Sequence, residues 1–216
     1  MVQGAAMSNM TVIKSLKPES LGKCYKVDTD GTLSKRAIAN VSIGVTKNFQ
    51  LSTEELAQLL SRACANSDLA LMSGNFIDAE HRKCVKLVTE RKLAELVKCE
   101  VKDTPGGVQA IDGKKYAARL KRGIEPGSWV LIDADDPKGM PDGWKVLNLQ
   151  ERLELLEPLV PGISTCLRVE YRSSSARVIK DGEQTDGATH AWIQISDPAK
   201  MEILREHVKV NMQLQE

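Results

Sequence analysis

Hydrophobic and polar positions follow a helical period in four stretches of the chain. Ser52 and Glu55 form the S-x-x-E pattern of a capping box, and Leu56, Leu59, Leu60 and Ala63 follow at helical spacing. This pattern predicts an amphipathic helix whose leucines face a core. Three further helices are predicted: residues 91–99, Leu149–Leu156 before Pro158, and a last one that starts at the N-cap pair Asp197-Pro198 and buries Met201, Leu204 and Val208.

Short apolar runs bounded by turn residues predict strands between these helices. Residues 24–50 read as short strands around the polar turn Asp28-Thr29-Asp30-Gly31. The later predicted strands are Leu69–Met72, Cys84–Val88, Ser128–Asp133, Ile163–Tyr171 and His190–Ile195. Strands interleaved with helices indicate an α/β protein, although the pattern alone leaves the strand order open.

Breaker residues suggest how the chain is divided. Thr104-Pro105-Gly106-Gly107 is the strongest breaker and predicts a subdomain boundary. We expect residues 1–20 to be a disordered leader, 21–104 to form an N-terminal α/β part, and 105–216 to carry the functional motifs.

Composition narrows the functional class only slightly. The 216 residues are 42% hydrophobic and 27% charged with a net charge of +1, so any nucleic-acid footprint must be local. The five cysteines are scattered without a CxxC pair, which favours free thiols in a reducing cytoplasm over a zinc knuckle or a disulfide framework. No apolar run approaches the ~18 residues that a membrane-spanning helix needs, so no membrane partner is expected.

The segment Trp129–Pro137 carries the first candidate chemistry. It is a short apolar strand that ends in Asp133-Ala134-Asp135. Strand side chains alternate between faces, so both carboxylates are expected to point the same way. Such a pair of oxygen ligands suits Mg²⁺ or Mn²⁺, which leave their other positions to phosphates and water. Alternatively, this acidic segment is simply a polar turn that follows the strand.

A serine-rich turn and a histidine form the second candidate. Ser173, Ser174 and Ser175 lie between Arg172 and Arg177, so hydroxyl and guanidinium groups can bind an anion there. If the strands on either side are antiparallel neighbours, His190 returns towards these serines. The alternatives are a flexible loop and a core histidine. His81 and His207 show no partner pattern and are assigned to structure or surface.

A run of cations follows the breaker. Lys114, Lys115, Arg119, Lys121 and Arg122 have no acid among them. In a helix, Lys115, Arg119 and Arg122 would share one face, where they could bind nucleic-acid phosphates or simply be solvated.

The order of these motifs resembles the archaeo-eukaryotic primase superfamily, and more closely the primase-polymerase domains of bacterial plasmids, phages and integrated elements. The family's first motif, an apolar strand ending in DxD, is matched by Val130–Asp135. Its second, a small-hydroxyl segment followed by histidine, is matched by Ser173–Ser175 and His190. The similarity covers roughly residues 85–216.

The resemblance implies a mixed, mostly antiparallel RRM-like sheet with flanking helices. It implies an enzyme that transfers a nucleotide from an NTP or dNTP to a 3′-hydroxyl on a DNA template. Asp133 and Asp135 would be catalytic and bind Mg²⁺ or Mn²⁺. The residues that would hold the triphosphate are Ser173, Ser174, Ser175, Arg177 and His190. Expected partners are single-stranded template or primer-template DNA and a helicase domain or protein.

Two departures from the family pattern are visible. Residues 178–189 separate the serines from His190, whereas many members have only a few residues there. The family also has a later acidic strand, but no acid after His190 lies in an apolar run. We therefore expect the third carboxylate to lie beyond Glu216, and this chain to be incomplete for catalysis.

Two other functions remain open from the sequence. One is a non-catalytic nucleic-acid-binding replication module with a vestigial nucleotide site. The other is an unrelated metal-dependent phosphotransferase or phosphohydrolase with Asp133 as nucleophile, although that chemistry usually needs a lysine and further acids downstream.

Overall fold

The computed structural model describes most of the chain. The described residues are 7–17, 23–27, 29, 33–37, 41–66, 68–132, 143, 147–172, 179–180, 183–184, 189–204 and 206, with backbone alone for 23–27, 33–37, 179–180 and 183–184. The chain divides into two compact units, Met1–Gly127 and Ser128–Glu216, so the division lies later than the breaker at 104–107.

Ten strands and two helices are present among the described residues of the first unit. The strands are β1 Ser8–Ser15, β2 Lys23–Val27, β3 Leu33–Ala37, β4 Gly44–Leu51, β5 Leu69–Ser73, β6 Asn75–Phe76, β7 Val85–Leu87, β8 Gln109–Ile111, β9 Lys114–Ala117 and β10 Ile124–Glu125. The helices are α1 Thr53–Cys64 and α2 Glu90–Val97, and two 3₁₀ turns cover Val101–Asp103 and Lys121–Gly123.

A six-stranded sheet organises this unit. Its order is β5-β1-β4-β7-β9-β8, and every neighbouring pair is antiparallel except β7 with β9. Two separate pairs, β2 with β3 and β6 with β10, are also antiparallel. The capping box at Ser52 is formed, and α1 buries Leu56 and Leu60 as the sequence predicts.

One hydrophobic cluster of the first unit lies on one face of this sheet. Its buried members are Ile13, Val41, Phe76, Val85, Leu87 and Ala117. Phe76 comes from β6 and pairs with Ile124 of β10, which packs against the same cluster. The short β6–β10 pair therefore covers part of the sheet face.

A buried amide holds β6 in place. The Oδ1 atom of Asn48 accepts hydrogen bonds from Thr11 Oγ1 at 3.0 Å and from the Phe76 N–H at 3.4 Å. Its Nδ2 atom donates to the Phe76 carbonyl at 3.0 Å. The side chain thus bonds both backbone groups of Phe76, as a neighbouring strand would, and satisfies them in a site where water is excluded.

Strand β1 corrects the prediction of a disordered leader over residues 1–20. Ser8–Ser15 pairs with β4 on one side and with β5 on the other, and Met10 and Ile13 are buried. The sequence prediction was wrong here because this strand is stabilised by partners far along the chain. Its own pattern is too short to reveal them.

The described residues of the second unit form five strands and one full helix. These are β11 Trp129–Ile132, α3 Leu149–Leu156, β12 Arg168–Arg172, β13 Ile179–Lys180, β14 Glu183–Gln184 and β15 Thr189–Gln194. A 3₁₀ turn at Pro198–Lys200 is capped by the Asp197 carboxylate and leads into helical residues 201–204. The predicted helix start at Asp197 is confirmed, whereas Val208 lies outside the described residues.

The predicted strand Ile163–Tyr171 begins only at Arg168 because a carboxylate folds the segment before it. Glu157 accepts hydrogen bonds from the Gly162 N–H, from the Ser164 N–H at 2.9 Å and from the Ser164 hydroxyl at 2.6 Å. These bonds hold residues 157–164 in successive turns. Burial raises the pKa of the nearby Cys166 thiol, which donates to the Ile163 carbonyl and stays protonated.

The described fold is a mixed α/β protein with mostly antiparallel sheets and few helices, which confirms the predicted class at that level. Leu149–Leu156 has its predicted bounds, and the start of the strand predicted at Ile163 shifts by five residues. The other strands and helices predicted after residue 50 shift by no more than two residues at the ends that the structure describes. Within the described residues, no helix is both long enough and apolar enough to cross a bilayer.

We predict that Asn48→Ala lowers the free energy of unfolding by about 2–3 kcal/mol, because it leaves buried backbone groups of Phe76 without their amide partner. Urea denaturation followed by far-ultraviolet circular dichroism measures this change. Lys47→Ala, at an exposed position of the same strand, should stay within about 0.5 kcal/mol of the native protein. Equal effects of both substitutions would contradict the role given to Asn48.

We predict that the turns at 157–164 loosen in acid. The Ser164 hydroxyl, and then the Gly162 and Ser164 N–H groups, hold the pKa of Glu157 below its usual value. Because the folded-state pKa is lowered, its stabilising contribution is full above the unfolded-state value of about 4.3 and disappears as the pH falls through the folded-state pKa. Carboxyl NMR titration checks this, and Glu157→Gln should remove this pH dependence.

Candidate functional site

Three strand ends meet at one end of the sheet in the second unit. The sheet order is β11-β15-β12, and β15 is antiparallel to both neighbours. Ile132, the last residue of β11, pairs with Ala191. Arg172, the last residue of β12, pairs with Thr189, the first residue of β15. The pairing thus brings the end of β11, the end of β12 and the start of β15 together.

His190 lies at this shared end. It pairs directly with Tyr171 of β12, and the two ring centroids are 5.3 Å apart in a tilted arrangement. His190 is only 8% exposed, so its imidazole is held among neighbours rather than in bulk water. The antiparallel pairing on which the predicted return of His190 depends is present, whereas the serines that it would approach lie outside the described residues.

The other face of this sheet is occupied by the core. Ala191 and Ile193 of β15 pack with Leu149 and Leu153 of α3 and with Ile163. Since side chains alternate along a strand, His190 and Trp192 point to the face opposite α3. Helix α3 is fixed at its start by Asn148 and Glu151, which form a reciprocal capping box.

Most residues of the sequence-predicted site lie outside the described residues. These are Asp133, Asp135, Ser173, Ser174, Ser175 and Arg177. Their predicted roles remain predictions. The structure does describe Ile132, which precedes Asp133, and Arg172, which precedes Ser173.

The cationic segment 114–122 is not a helix, so the predicted shared helix face is wrong. Lys115 lies in β9 and forms an ion pair with Glu80, and this hydrogen bond lowers the pKa of Glu80. Arg122 lies in a 3₁₀ turn, donates to the Thr104 carbonyl at 3.0 Å through Nε, and pairs with Glu90 at 3.2 Å. Arg119 is exposed between them. Their binding to nucleic acid remains a prediction.

Metal ligands can be assessed only in part. Among the described residues, no three or more histidine, cysteine, aspartate or glutamate side chains converge on a common point. The donors that the sequence supplies, two carboxylates at i and i+2 directly after Ile132, are the hard oxygen ligands that Mg²⁺ and Mn²⁺ prefer. The donor chemistry therefore fits the expected ion.

The sequence analysis missed a polar pocket in the first unit. Its volume is about 290 Å³, and it is lined by Asn9, Asn48, Gln50, Asn75, Ala79, His81 and Glu125. Asn9 pairs with Gln50, and Asn75 with Glu125, so two cross-strand pairs form its walls. The alternation of Asn48 and Gln50 in β4 was visible in the sequence, but the strands that face them are distant along the chain.

Comparisons of the chain with protein-family models, with curated proteins and with solved structures found no match.

We predict that Leu153→Ala loosens the support beneath the sheet of the second unit. Leu153 is fully buried between α3 and this sheet, so its truncation should cost about 2–5 kcal/mol of unfolding free energy. Leu155→Ala is the matched control because Leu155 is 47% exposed on the same helix. Urea denaturation should separate the two variants clearly, and similar losses would contradict this packing.

Proposed function

We propose that this chain is a metal-dependent nucleotidyltransferase of the primase-polymerase type. The observation that supports this best is the convergence of the ends of β11 and β12 with the start of β15. In the sequence, Asp133 follows the end of β11 and Ser173 follows the end of β12. His190 is the second residue of β15. A site built there would combine carboxylates, hydroxyls, guanidinium groups and an imidazole, which suit a nucleoside triphosphate.

The proposed metal site depends on the register between β11 and β15. If the pairing of β11 with β15 continued one residue past Ile132 and Ala191, Asp133 would lie opposite His190. Directly paired residues of an antiparallel sheet share a face. Asp133 and Asp135 would then share the face of His190 and Tyr171, which α3 does not cover.

The chemistry follows from these assignments. Divalent ions bound by two carboxylates would activate the attacking 3′-hydroxyl and stabilise the departing pyrophosphate. Asp133 and Asp135 would hold those ions, and the serine hydroxyls would donate hydrogen bonds to phosphate oxygens. Arg177 would neutralise charge, and His190 would orient the triphosphate from a position fixed by Tyr171. Catalysis would then rest on orientation and electrostatics, without a covalent intermediate.

We also propose that the fold is of the RRM-like primase type. A mixed, mostly antiparallel fold with few helices is compatible with an RRM-like primase type. The expected partners are NTP or dNTP, single-stranded template or primer-template DNA, and a helicase. The exposed Arg119, with Lys115 and Arg122, would contact template phosphates after exchange of their present ion pairs.

We predict that Asp133→Asn combined with Asp135→Asn abolishes Mn²⁺ binding in calorimetry. Whatever primer extension the native chain shows with labelled dNTPs should fall by about 100-fold or more, the scale expected when transition-state charge stabilisation is lost. Glu170→Gln is the matched control, because Glu170 pairs with Ala191, one residue from His190, and therefore lies on the opposite face. Circular dichroism should show both variants folded.

The outcomes separate the competing functions. Unchanged metal affinity in the double variant would contradict the metal site. Nucleotide and DNA binding that needs no Mn²⁺ and is unchanged in the double variant would favour a binding module. Phosphate release from a triphosphate or a phosphomonoester without nucleotide transfer would instead indicate a phosphohydrolase.

A further inference from the structure

The polar pocket of the first unit is separate from the residues proposed for nucleotide transfer. All seven of its lining residues lie within Met1–Gly127, whereas Asp133, the serines and His190 belong to the second unit. At about 290 Å³ it matches the lower end of small-molecule sites and suits one ring system rather than a whole dinucleotide.

Two glycines fix the wall that carries Asn9 and Glu125. A Cβ atom at Gly74 would lie 2.4 Å from the Glu125 carbonyl, and one at Gly127 would lie 2.3 Å from the Asn9 carbonyl. Gly74 also has a positive φ of 96° and donates its N–H to the Asn9 carbonyl at 3.1 Å. Backbones packed this closely keep the pocket in one shape, which lowers the entropic cost of binding.

A strained turn supplies the other wall. Asp78 and Arg82 both adopt positive φ angles, 62° and 58°, on either side of Ala79 and His81. Left-handed geometry costs an arginine roughly 1–2 kcal/mol, so the surrounding contacts must hold it. The Arg82 N–H donates to the Asn48 carbonyl at 2.9 Å. The rings of His81 and Phe49 are arranged edge to face, with their centroids 6.3 Å apart. These contacts hold the strained turn and so keep the His81 imidazole at the pocket.

The hydrogen-bonding groups of this pocket define the ligand. Among the described residues it is lined by amides, one imidazole and one carboxylate, with no lysine or arginine to offset the repulsion between Glu125 and a phosphate. The side chains of Gln50 and His81 make no hydrogen bond within the described part of the chain, and Asn9 reaches Glu125 only at a long 3.4 Å. Asn48, in contrast, is fully engaged with Thr11 and Phe76.

We propose that this pocket binds an unphosphorylated adenine-type base through its hydrogen-bonding edge. The Glu125 carboxylate accepts from the exocyclic amine, and the amides of Asn9 and Gln50 donate to ring nitrogens, as amide side chains do with adenine elsewhere. The exposed imidazole of His81 provides a face on which the base stacks. Binding is non-covalent and needs no metal, so it is independent of the nucleotidyl transfer proposed above.

Calorimetry on the whole chain in the presence of EDTA tests this, with adenosine, inosine and ribose as probes. Adenosine should bind saturably, at a dissociation constant in the millimolar range or below. Inosine presents a carbonyl where adenosine has its amine, so it should bind at least about tenfold more weakly, and ribose should not bind. Absent adenosine binding, equal binding of adenosine and inosine, or binding of ribose would each overturn the proposal.

Variants locate the binding. Glu125→Gln and His81→Ala, both at exposed positions, should each weaken adenosine binding by about tenfold. Glu95→Gln should leave it unchanged because Glu95 lies on α2 and pairs with Lys92. The Asp133→Asn and Asp135→Asn double variant should also bind adenosine normally, which keeps this test distinct from that of the proposed transferase. Unchanged binding in both pocket variants would overturn the assignment.

Discussion

The double pairing of β15 is the constraint on which the second unit depends. One strand with antiparallel neighbours on both sides determines where each neighbouring strand ends. It also separates side chains into two sets: Ala191 and Ile193 face α3, and His190 and Trp192 face away. A shift of one residue would exchange these sets and bury an imidazole against leucines, so the apolar core enforces the register. The position of His190 is therefore a consequence of hydrophobic packing on the opposite face.

In the first unit, a side chain holds a short strand in place. Strand β6 is only two residues long and cannot hold itself on the sheet through its own ladder. Asn48 supplies the missing pairing from within β4, and Thr11 holds the Asn48 amide. Because β6 continues into the turn with Asp78 and Arg82, the same amide determines where His81 lies. The pocket is thus built on the same network that closes the core.

Local patterns predicted what local interactions determine. The capping box at Ser52 and the apolar stripe of α1 are set within a dozen residues, and both are present. The sequence offered the antiparallel pairing of β15 with β12 only as a condition, and the structure shows that pairing. The α/β class followed from interleaved short strands and helices, whereas the mostly antiparallel sheet was implied only by the resemblance to primase-polymerase domains. Asp133, Asp135 and the serines remain predictions, since they lie outside the described residues.

Features set by distant partners were not predictable in this way. Strand β1 looked like a leader because its partners begin 29 or more residues later. The cations near Lys115 suggested a helix face because their charge pattern says nothing about Glu80 and Glu90, the acids they meet. In each case a contact between separate segments outweighed the local pattern.

The distribution of tryptophan gives the two units different optical signatures. All three tryptophans, at positions 129, 144 and 192, belong to the second unit. Trp129 and Trp192 are buried, so their emission should shift to longer wavelength when that unit opens and water reaches the indoles. The first unit contains only tyrosine and phenylalanine fluorophores and contributes little to that signal. Tryptophan emission and far-ultraviolet dichroism will therefore report different transitions if the units unfold separately, and they will coincide if the whole chain unfolds cooperatively.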